Sequence, residues 1–410
     1  MTHTIHKESP PCPCCNGESF SSLCDLGQLP LSGHYLDTKD ASVETAALAL
    51  EFCDSCAFVR KVKFLRSARR YDAIDRSTSG QLPFYTPKIT NEISQGQNPD
   101  DFLLEIGSND GTFIEVLHRG GFSNTAGVEP SLSLANLSKG RGHRIFHGYF
   151  DSDMAAAIVA ETGKARTVIC RHTLEHIPDP HPFLRAVHSI LAPGGRVYIE
   201  LPNTLWILEK LQIHEIWDEH ENYYTPRTLR LCMRSAGFGN IVVREQRHRD
   251  ASNITCWASV AEEDSGESLS PDLEMALCRS FPQKLATIQM RMRLLSEQWT
   301  HPAYVIGGAH NQANFVLYNG IGDAVEAFVD DSEFKQGHFL SAPRPLPVIT
   351  TENLLAKAGP VTLLATAFPF PDWMDRIRKA REGCGDNWVE PYPEEFSRPP
   401  VVSGGVLQQE

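Results

Sequence analysis

Phe102-Leu103-Leu104-Glu105-Ile106-Gly107-Ser108-Asn109-Asp110-Gly111-Thr112 is the stretch on which the reading of this chain turns. It is a short apolar run ending in glycine, the pattern of a strand buried on both faces of a parallel sheet. Thr112 to His118 then reads as a helix. Gly107 and Gly111 allow a tight turn and a close approach of backbone to a ligand. Working outward, Ala126-Gly127-Val128-Glu129 reads as a second strand and Leu132 to Ser138 as a second helix. Arg166 to Cys170 is a further strand. Pro182 to Leu191 is an amphipathic helix stopped by Pro193-Gly194-Gly195, and Arg196 to Leu201 is the next strand. Strand and helix alternating in this way predict a doubly wound α/β fold. Glycine turns of this kind serve many nucleotide sites. Two features narrow the choice here. The turn lacks the G-x-G-x-x-G spacing of a dinucleotide fingerprint, and Glu129 ends the second strand, where a carboxylate accepts hydrogen bonds from a ribose diol.

The chain has 410 residues, too many for one ordinary core. Leu285, Ile288, Met292, Leu295 and Trp299 follow helical spacing and read as a packing face. A second α/β unit begins at Ala303-Tyr304-Val305-Ile306-Gly307-Gly308. It continues through the strands Ala324 to Asp331 and Val361 to Thr366 and a helix from Asp372 to Arg381. The residues are 41% hydrophobic and 22% charged, ordinary for a globular protein, and the formal net charge is -13. That charge speaks against nucleic acid as a partner, since a phosphate backbone calls for a basic face. The run Arg60, Lys61, Lys63, Arg66, Arg69 and Arg70 reads as a solvated face; attraction for the diphosphate of a nucleotide is the less usual reading. No apolar run reaches the ~18 residues of a membrane span, and the first residues lack the apolar core of a signal peptide. A cytoplasmic protein without membrane contact is expected.

Eleven cysteines in such a chain point to metal ligands or small buried hydrophobes more than to disulfides. Cys12 and Cys15 form one Cys-x-x-Cys step, and Cys53 and Cys56 another. Four thiolates in two such steps suit tetrahedral zinc at about 2.3 Å, and a site closed by four protein ligands is structural. Cys14, Cys24 and His34 compete as ligands, and two unrelated redox pairs are the alternative.

At the glycine turn, at Glu129 and at Leu191-Ala192-Pro193-Gly194-Gly195-Arg196-Val197, the chain resembles the class I S-adenosylmethionine-dependent methyltransferases. The resemblance implies cofactor contacts at Gly107, Asn109, Gly111 and Glu129. Glu105, Ser108 and Pro130 in the same two turns, and His172 at the cleft, are further candidates. A domain for another nucleotide is the alternative.

Over most of its length the chain is similar to sugar C-methyltransferases that act on nucleotide-linked keto-deoxysugars. Cys12-x-x-Cys15-x-Gly17 with Leu26-Gly27-x-x-Pro30-Leu31, the cofactor loop from Glu105 to Thr112, and Phe328-Val329-Asp330-Asp331 with Lys335-Gln336-Gly337 carry that similarity. It implies a class I methyltransferase Rossmann-like core with a small zinc-binding module before it and a second Rossmann-like α/β domain after it. The expected boundaries are 1–70 for the zinc module, 71–262 for the core, 263–300 for a helical connection, 301–397 for the C-terminal domain and 398–410 for a tail. A monomer or homodimer with a small-molecule substrate is expected.

The family's candidate base lies in a Tyr-His-Glu-His-x-x-Tyr stretch. Here Trp217-Asp218-Glu219-His220-Glu221-Asn222-Tyr223 matches it at Glu219, His220 and Tyr223 and departs at Trp217 and Asp218. The family's Tyr-x-Tyr-then-Ser segment is also incomplete: Tyr71 is followed by Ala73, with Ser77, Thr78 and Ser79 beyond. His220 is expected as the general base, because an unperturbed imidazole titrates near pH 6.5. Glu219, its neighbour, points the other way in an extended segment and is read as an orienter or sugar-hydroxyl ligand. Tyr223 could donate to a developing enolate oxygen. His176 and His172, at the end of the strand that carries Cys170, are the competing histidines. Methyl transfer to oxygen, nitrogen or carbon of another small natural product, and a non-catalytic binding protein of the same fold, are the alternatives.

Overall fold

Helix caps and buried strand runs lay out the element order before any packing is considered. The computed structural model describes residues 10–32, 35–62, 86–95, 98–248, 251–260, 270–333, 335–342, 344–365 and 371–389. His34, Lys63, Arg66, Arg69, Arg70, Tyr71, Ala73, Ser77, Thr78, Ser79, residues 261–269 and the tail 398–410 lie outside them. The chain forms two compact units. One gathers 1–28, 46–204 and 218–275; the other gathers 29–45, 205–217 and 276–410. The units therefore cut across the linear boundaries read from the sequence. Among the described residues no helix is long and apolar enough to cross a membrane.

The first unit is built on a seven-stranded sheet. Its strands are β1 (Leu103–Ile106), β2 (Thr125–Glu129), β3 (Ile145–His147), β4 (Ala165–Arg171), β5 (Leu191–Pro202), β6 (Gly239–His248) and β7 (Ala251–Ser259). Their spatial order is β6-β7-β5-β4-β1-β2-β3. β1 to β5 pair in parallel, and β7 runs antiparallel to both β5 and β6. β1 and β2 are buried along their whole length, as their apolar composition requires when helices cover both faces. Strand order reverses between β1 and β4. The crevice outside the carboxyl ends at such a switch point is where open α/β sheets bind ligands.

The helices of this unit are α1 (Thr86–Ser94), α2 (Thr112–Arg119), α3 (Leu132–Gly140), α4 (Ser152–Thr162), α5 (Pro180–Ile190) and α6 (Pro226–Ser235). Each of the last four starts at a side-chain cap that accepts orphan backbone N–H groups: Ser131, Asp151, Asp179 and Thr225. Pro180 and Pro226 fill the first helical positions, where a missing N–H costs nothing. The Pro193-Gly194-Gly195 turn is part of β5 and not a separate lead-in. Pairing jumps from Ala165–Leu191 to Thr167–Arg196, so the residues between bulge out of register.

A four-stranded sheet adds the cysteine-rich residues to the same unit. Its strands run Phe20–Pro30, Thr45–Cys53, Val59–Lys61 and Asn222–Tyr223, in that spatial order. Cys12, Cys14, Cys53, Cys56 and Phe58 belong to one apolar cluster with Phe183, Val187, Leu229 and Met233 of α5 and α6. Arg60 and Lys61 are buried and not a solvated face. Arg60 pairs with Glu51 at 2.7 Å and Lys61 with Glu221 at 2.5 Å.

The second unit has its own mixed sheet. Strands β8 (Ala303–Ile306), β9 (Val325–Val329), β10 (Phe339–Ser341), β11 (Pro345–Ile349), β12 (Thr362–Ala365) and β13 (Asn387–Val389) order as β13-β12-β8-β9-β11-β10, with Tyr35–Leu36 on the β10 edge. The long helix Asp272–Ser296 buries Leu285, Ile288 and Met292, as the spacing predicts, and ends before Trp299.

Gly127, in the middle of β2, has no room for a side chain. A Cβ there would lie 2.3 Å from Ser108 Oγ and 2.7 Å from Ile145 Cδ1. Gly127→Ala should lower stability by about 1–3 kcal/mol through overpacking, seen as a reduced thermal midpoint; an unchanged midpoint would contradict this packing.

Candidate active site and cysteine cluster

The turn after β1 holds three successive demands on its backbone. Gly107, Asn109 and Gly111 all have positive φ, at 75°, 51° and 80°. At Gly107 a Cβ would sit 2.2 Å from Thr173 Oγ1, and at Gly111 2.3 Å from Ser138 Oγ. Both glycines are fixed by neighbouring side chains as well as by φ. Glu129 ties the turn down from the end of β2. One carboxylate oxygen accepts from Asn109 N–H at 2.8 Å and the other from Ser131 N–H at 2.8 Å. Burial nonetheless raises its pKa above the usual carboxylate range. Each oxygen keeps a second lone pair, so the same carboxylate can also receive a ribose diol. Asp110, which the sequence reading passed over, is fully buried and holds the first residue of α2, accepting from Thr112 N–H and Oγ1–H. Ser108 lies buried against Gly127, and the Pro130 carbonyl faces His147 Nε2 at 3.2 Å.

Beneath this turn lies a charged network at the switch point. Glu200 on β5 is fully buried and receives Arg171 Nε at 3.1 Å, His172 Nε2 at 3.2 Å and the Tyr198 hydroxyl at 3.2 Å. Glu105 on β1 is buried, with Oε2 lacking a hydrogen-bond partner among the described residues. Burial pushes its pKa up to about 8, against the pull of Arg171. His172 adopts φ 46°, and its side chain stays 42% exposed. The packing around the ring opposes its charge. Glu175 and Glu200, one at each ring nitrogen, outweigh that and hold the imidazole at about 10. A carboxylate at each ring nitrogen favours the charged form of this imidazole.

Thr173 crosses from this network to the glycine turn, donating to the Ile106 carbonyl at 3.3 Å. The 3-10 turn Leu174–His176 follows. Here the structure brings together residues read from two distant stretches. Asn222–Tyr223 pairs antiparallel with Val59–Arg60, and Glu221 N–H donates to the Glu175 carbonyl at 2.8 Å. Lys61 Nζ binds Glu221 and the Asp218 carbonyl. His176 Nδ1 lies 3.1 Å from the Glu219 carbonyl. The His176 and His220 rings meet edge to face at 4.9 Å, and Tyr223 stands 5.7 Å from His220 on the other side. Glu219, His220 and Tyr223 are all buried. His220, Tyr223 and His176 therefore form one cluster, reached from the glycine turn through Thr173.

Cys12, Cys15, Cys53 and Cys56 converge separately, with their sulfurs all within 4.8 Å of one another. Cys12 lies 3.5 Å from Cys56, and Cys15 3.5 Å from Cys53. These separations exceed the ~2.05 Å of a disulfide. They lie near the ~3.8 Å between sulfurs set tetrahedrally about an ion at 2.3 Å. The two steps fold alike. Asn16 and Ala57, each just after a second cysteine, take φ 59° and 56°, and Asn16 and Ala57 N–H return to the Cys12 and Cys53 carbonyls. Cys14 turns away and donates to the Thr228 carbonyl at 3.3 Å, and buried Cys24 is not in the cluster.

Residues 81–243 match a family model described as a methyltransferase domain. The chain is 25% identical to the C-methyltransferase NovU of Streptomyces niveus over 96% of each chain. It is 26% identical to a ubiquinone biosynthesis O-methyltransferase of Cupriavidus pinatubonensis over 37% of this chain and 66% of that one. A crystal structure of a SAM-dependent methyltransferase from Archaeoglobus fulgidus aligns with 42% of this chain and 91% of its own, at 15% identity and a TM-score of 0.35. The sheet order, the glycine turn and the domain match make this chain a class I S-adenosylmethionine-dependent methyltransferase. Within that class its likeness to a C-methyltransferase runs the length of both chains.

Glu105 couples the stability of the fold to pH. Its carboxyl is raised in the folded protein, from 4.5 to about 8. The folded state then holds a proton that the unfolded chain has lost, so this group's contribution to stability falls as pH rises from about 4.5 to 8, by up to ~1.4 kcal/mol per pH unit. Glu105→Gln should flatten thermal stability against pH across that window. Parallel curves for variant and wild type would place the proton elsewhere.

Proposed function

We propose that the enzyme methylates a carbon beside the ketone of a nucleotide-linked keto-deoxysugar. The observation that carries this reading is the cluster of His220, Tyr223 and His176, drawn by strand pairing to the turn that packs on the cofactor loop. Gly107, Asn109, Gly111 and Glu129 hold the cofactor in the reading, with Glu105, Ser108, Pro130 and His172 close by. Bound there, S-adenosylmethionine supplies an electrophilic methyl group on a sulfonium and needs only an aligned nucleophile. His220 takes the proton from the carbon beside the ketone, leaving an enolate. Tyr223 donates to the enolate oxygen as its charge develops. Glu219 receives a sugar hydroxyl, and its carbonyl fixes His176 through the Nδ1 contact. Burial keeps water from competing for the proton.

The second unit, taken by itself, supports a nucleotide in the substrate. Gly307 and Gly308 follow β8, and Asp330 at the end of β9 accepts from Gly308 N–H at 3.0 Å and from Lys335 Nζ at 2.8 Å. The device parallels the Glu129 clamp of the first unit.

The four-sulfur cluster fits a structural zinc, held by Cys12, Cys15, Cys53 and Cys56, with no part in the reaction. Metal analysis should find one zinc per chain. Cys14→Ser should retain it, and Cys53→Ser should lose it with a lower thermal midpoint; zinc unaffected by Cys53→Ser would refute the site.

Incubation with methyl-labelled cofactor and keto-deoxysugar nucleotides should put label on a sugar carbon. Label on oxygen or nitrogen, or none on the nucleotide, would overturn the acceptor. His220→Gln should reduce turnover by about 10²–10⁴-fold while leaving cofactor affinity unchanged, as titration calorimetry would read. A wild-type rate would remove His220 as the base.

A further inference from the structure

The buried carboxylate of Glu175, which faces His172 on one side, has no role in the reaction proposed above. It is 2% exposed, and its Oε2 has no hydrogen-bond partner among the described residues. One of its oxygens, a ring nitrogen of His176 and a ring nitrogen of His220 lie mutually within 4.8 Å. Its other near neighbour is His172 Nδ1, at 3.5 Å from Oε1. The backbone locks it in register with the base, since the Glu175 carbonyl receives the N–H of Glu221, the residue after His220. A solvent-excluded carboxylate with an unsatisfied oxygen is costly unless something charges or donates toward it.

We infer that Glu175 is a positioning residue for His220: its carboxylate orients the imidazole and stabilises the imidazolium that forms when His220 takes the substrate proton. The inference rests on His220 acting as the base. A carboxylate beside an imidazole favours the charged ring, which makes the neutral ring a stronger base. The other titratable groups near Glu175 do not replace it. Cys170, behind it on β4, and Tyr224, behind it on the chain that carries His220, are both raised by burial and stay neutral. His172 is engaged on its far side by Glu200. His176 and Tyr223 bracket His220 and carry no negative charge at neutral pH. Among the described residues no other carboxylate belongs to the cluster of ring nitrogens.

The sequence of events needs no added reactant. His220 gains the substrate proton, Glu175 faces the resulting cation, and the proton leaves to solvent after methyl transfer. With the carboxylate replaced by an amide, the imidazolium loses that support.

The test compares Glu175→Gln and Glu175→Asp in the zinc-loaded, full-length enzyme. Glu175→Gln should lower kcat about 10–100-fold, leave KM for the cofactor within about threefold, and move the acid limb of the kcat/KM profile about one pH unit lower. Glu175→Asp keeps the charge and should keep the limb. A Glu175→Gln limb that does not move overturns the inference. Should Glu175→Gln not fold, the ¹⁵N resonances of His220 in the wild type decide: titration above about 6.5 supports it, and titration at or below that value overturns it. Mn²⁺ or Co²⁺ added to the zinc-loaded protein is a further arm. Broadening of the His176 and His220 resonances together with raised turnover would make the cluster a cation site and overturn the positioning role. An active His220→Gln variant would instead remove the base itself. An inactive one beside an unmoved Glu175→Gln profile would remove only this inference.

Discussion

A two-residue pairing governs the site. Asn222 and Tyr223 lie against Arg60 and Val59, far away in sequence, and without that register His220 has no reason to stand beside His176. So short a ladder cannot hold itself. It is held by Lys61, whose ammonium is buried between Glu221 and the Asp218 carbonyl, and whose backbone N–H donates to the Glu221 carbonyl at 3.0 Å. A buried pair of this kind adds little net stability compared with an apolar substitute, but removing one partner strands the other at about 3–5 kcal/mol. What it contributes is a single geometry. The Trp217-Asp218 departure from the family pattern falls at this anchor: only the backbone carbonyl of Asp218 is used by Lys61, and a carbonyl is indifferent to the side chain beside it.

The cofactor loop follows a different logic. There the sheet does the positioning, because order reverses between β1 and β4 and leaves the carboxyl ends of both strands facing one crevice. The loop is then closed from three directions, by Glu129 on its amides, by Thr173 over Gly107, and by Ser138 and His143 against Gly111. Acidic groups collect in this crevice. Glu200 faces Arg171 and His172, Glu175 faces His172, and burial favours the protonated form of Glu105.

Much of this was legible in the sequence, and the reasons differ by element. β1, β2 and β4 were visible because strands buried on both faces are written as unbroken apolar runs. The place of Glu129 at the end of β2 was legible because an apolar run broken by an acid marks where a buried strand stops. The four clustered cysteines stood out through spacing alone. β3, α4, α6 and the antiparallel pair β6 and β7 were not read, since their polar faces break the simple periodicities. The fate of Arg60 and Lys61 was misjudged for a clear cause. A run of cations looks solvated until partners from residues 51 and 221 are known, and those are long-range pairs that no local pattern encodes. Glu175 was invisible for the same reason: in sequence it is one acid between Leu174 and His176, and only the fold sets it against His220. Asp110 was hidden by the glycines on either side of its turn, which drew the attention that its hold on Thr112 warranted.

The cysteine cluster and the site are joined by the same strand. Cys53 and Cys56 bracket the turn that leads into Val59–Lys61, and Phe58 N–H and C=O lie between them and the ladder, with the Phe58 carbonyl receiving Cys53 N–H. On the other side Arg227, near the start of α6 and just beyond Tyr223 and Tyr224, donates to the Cys56 carbonyl and pairs with Glu274. Phe58 and Tyr224 meet edge to face at 5.4 Å across this junction. The ion that fits the four sulfurs would therefore fix both ends of the pairing that presents His220. A structural metal of this kind acts on chemistry only through geometry. Its loss should be felt first at the base, carried by the strand, and only later at the cofactor loop, which is secured by the sheet and by Glu129.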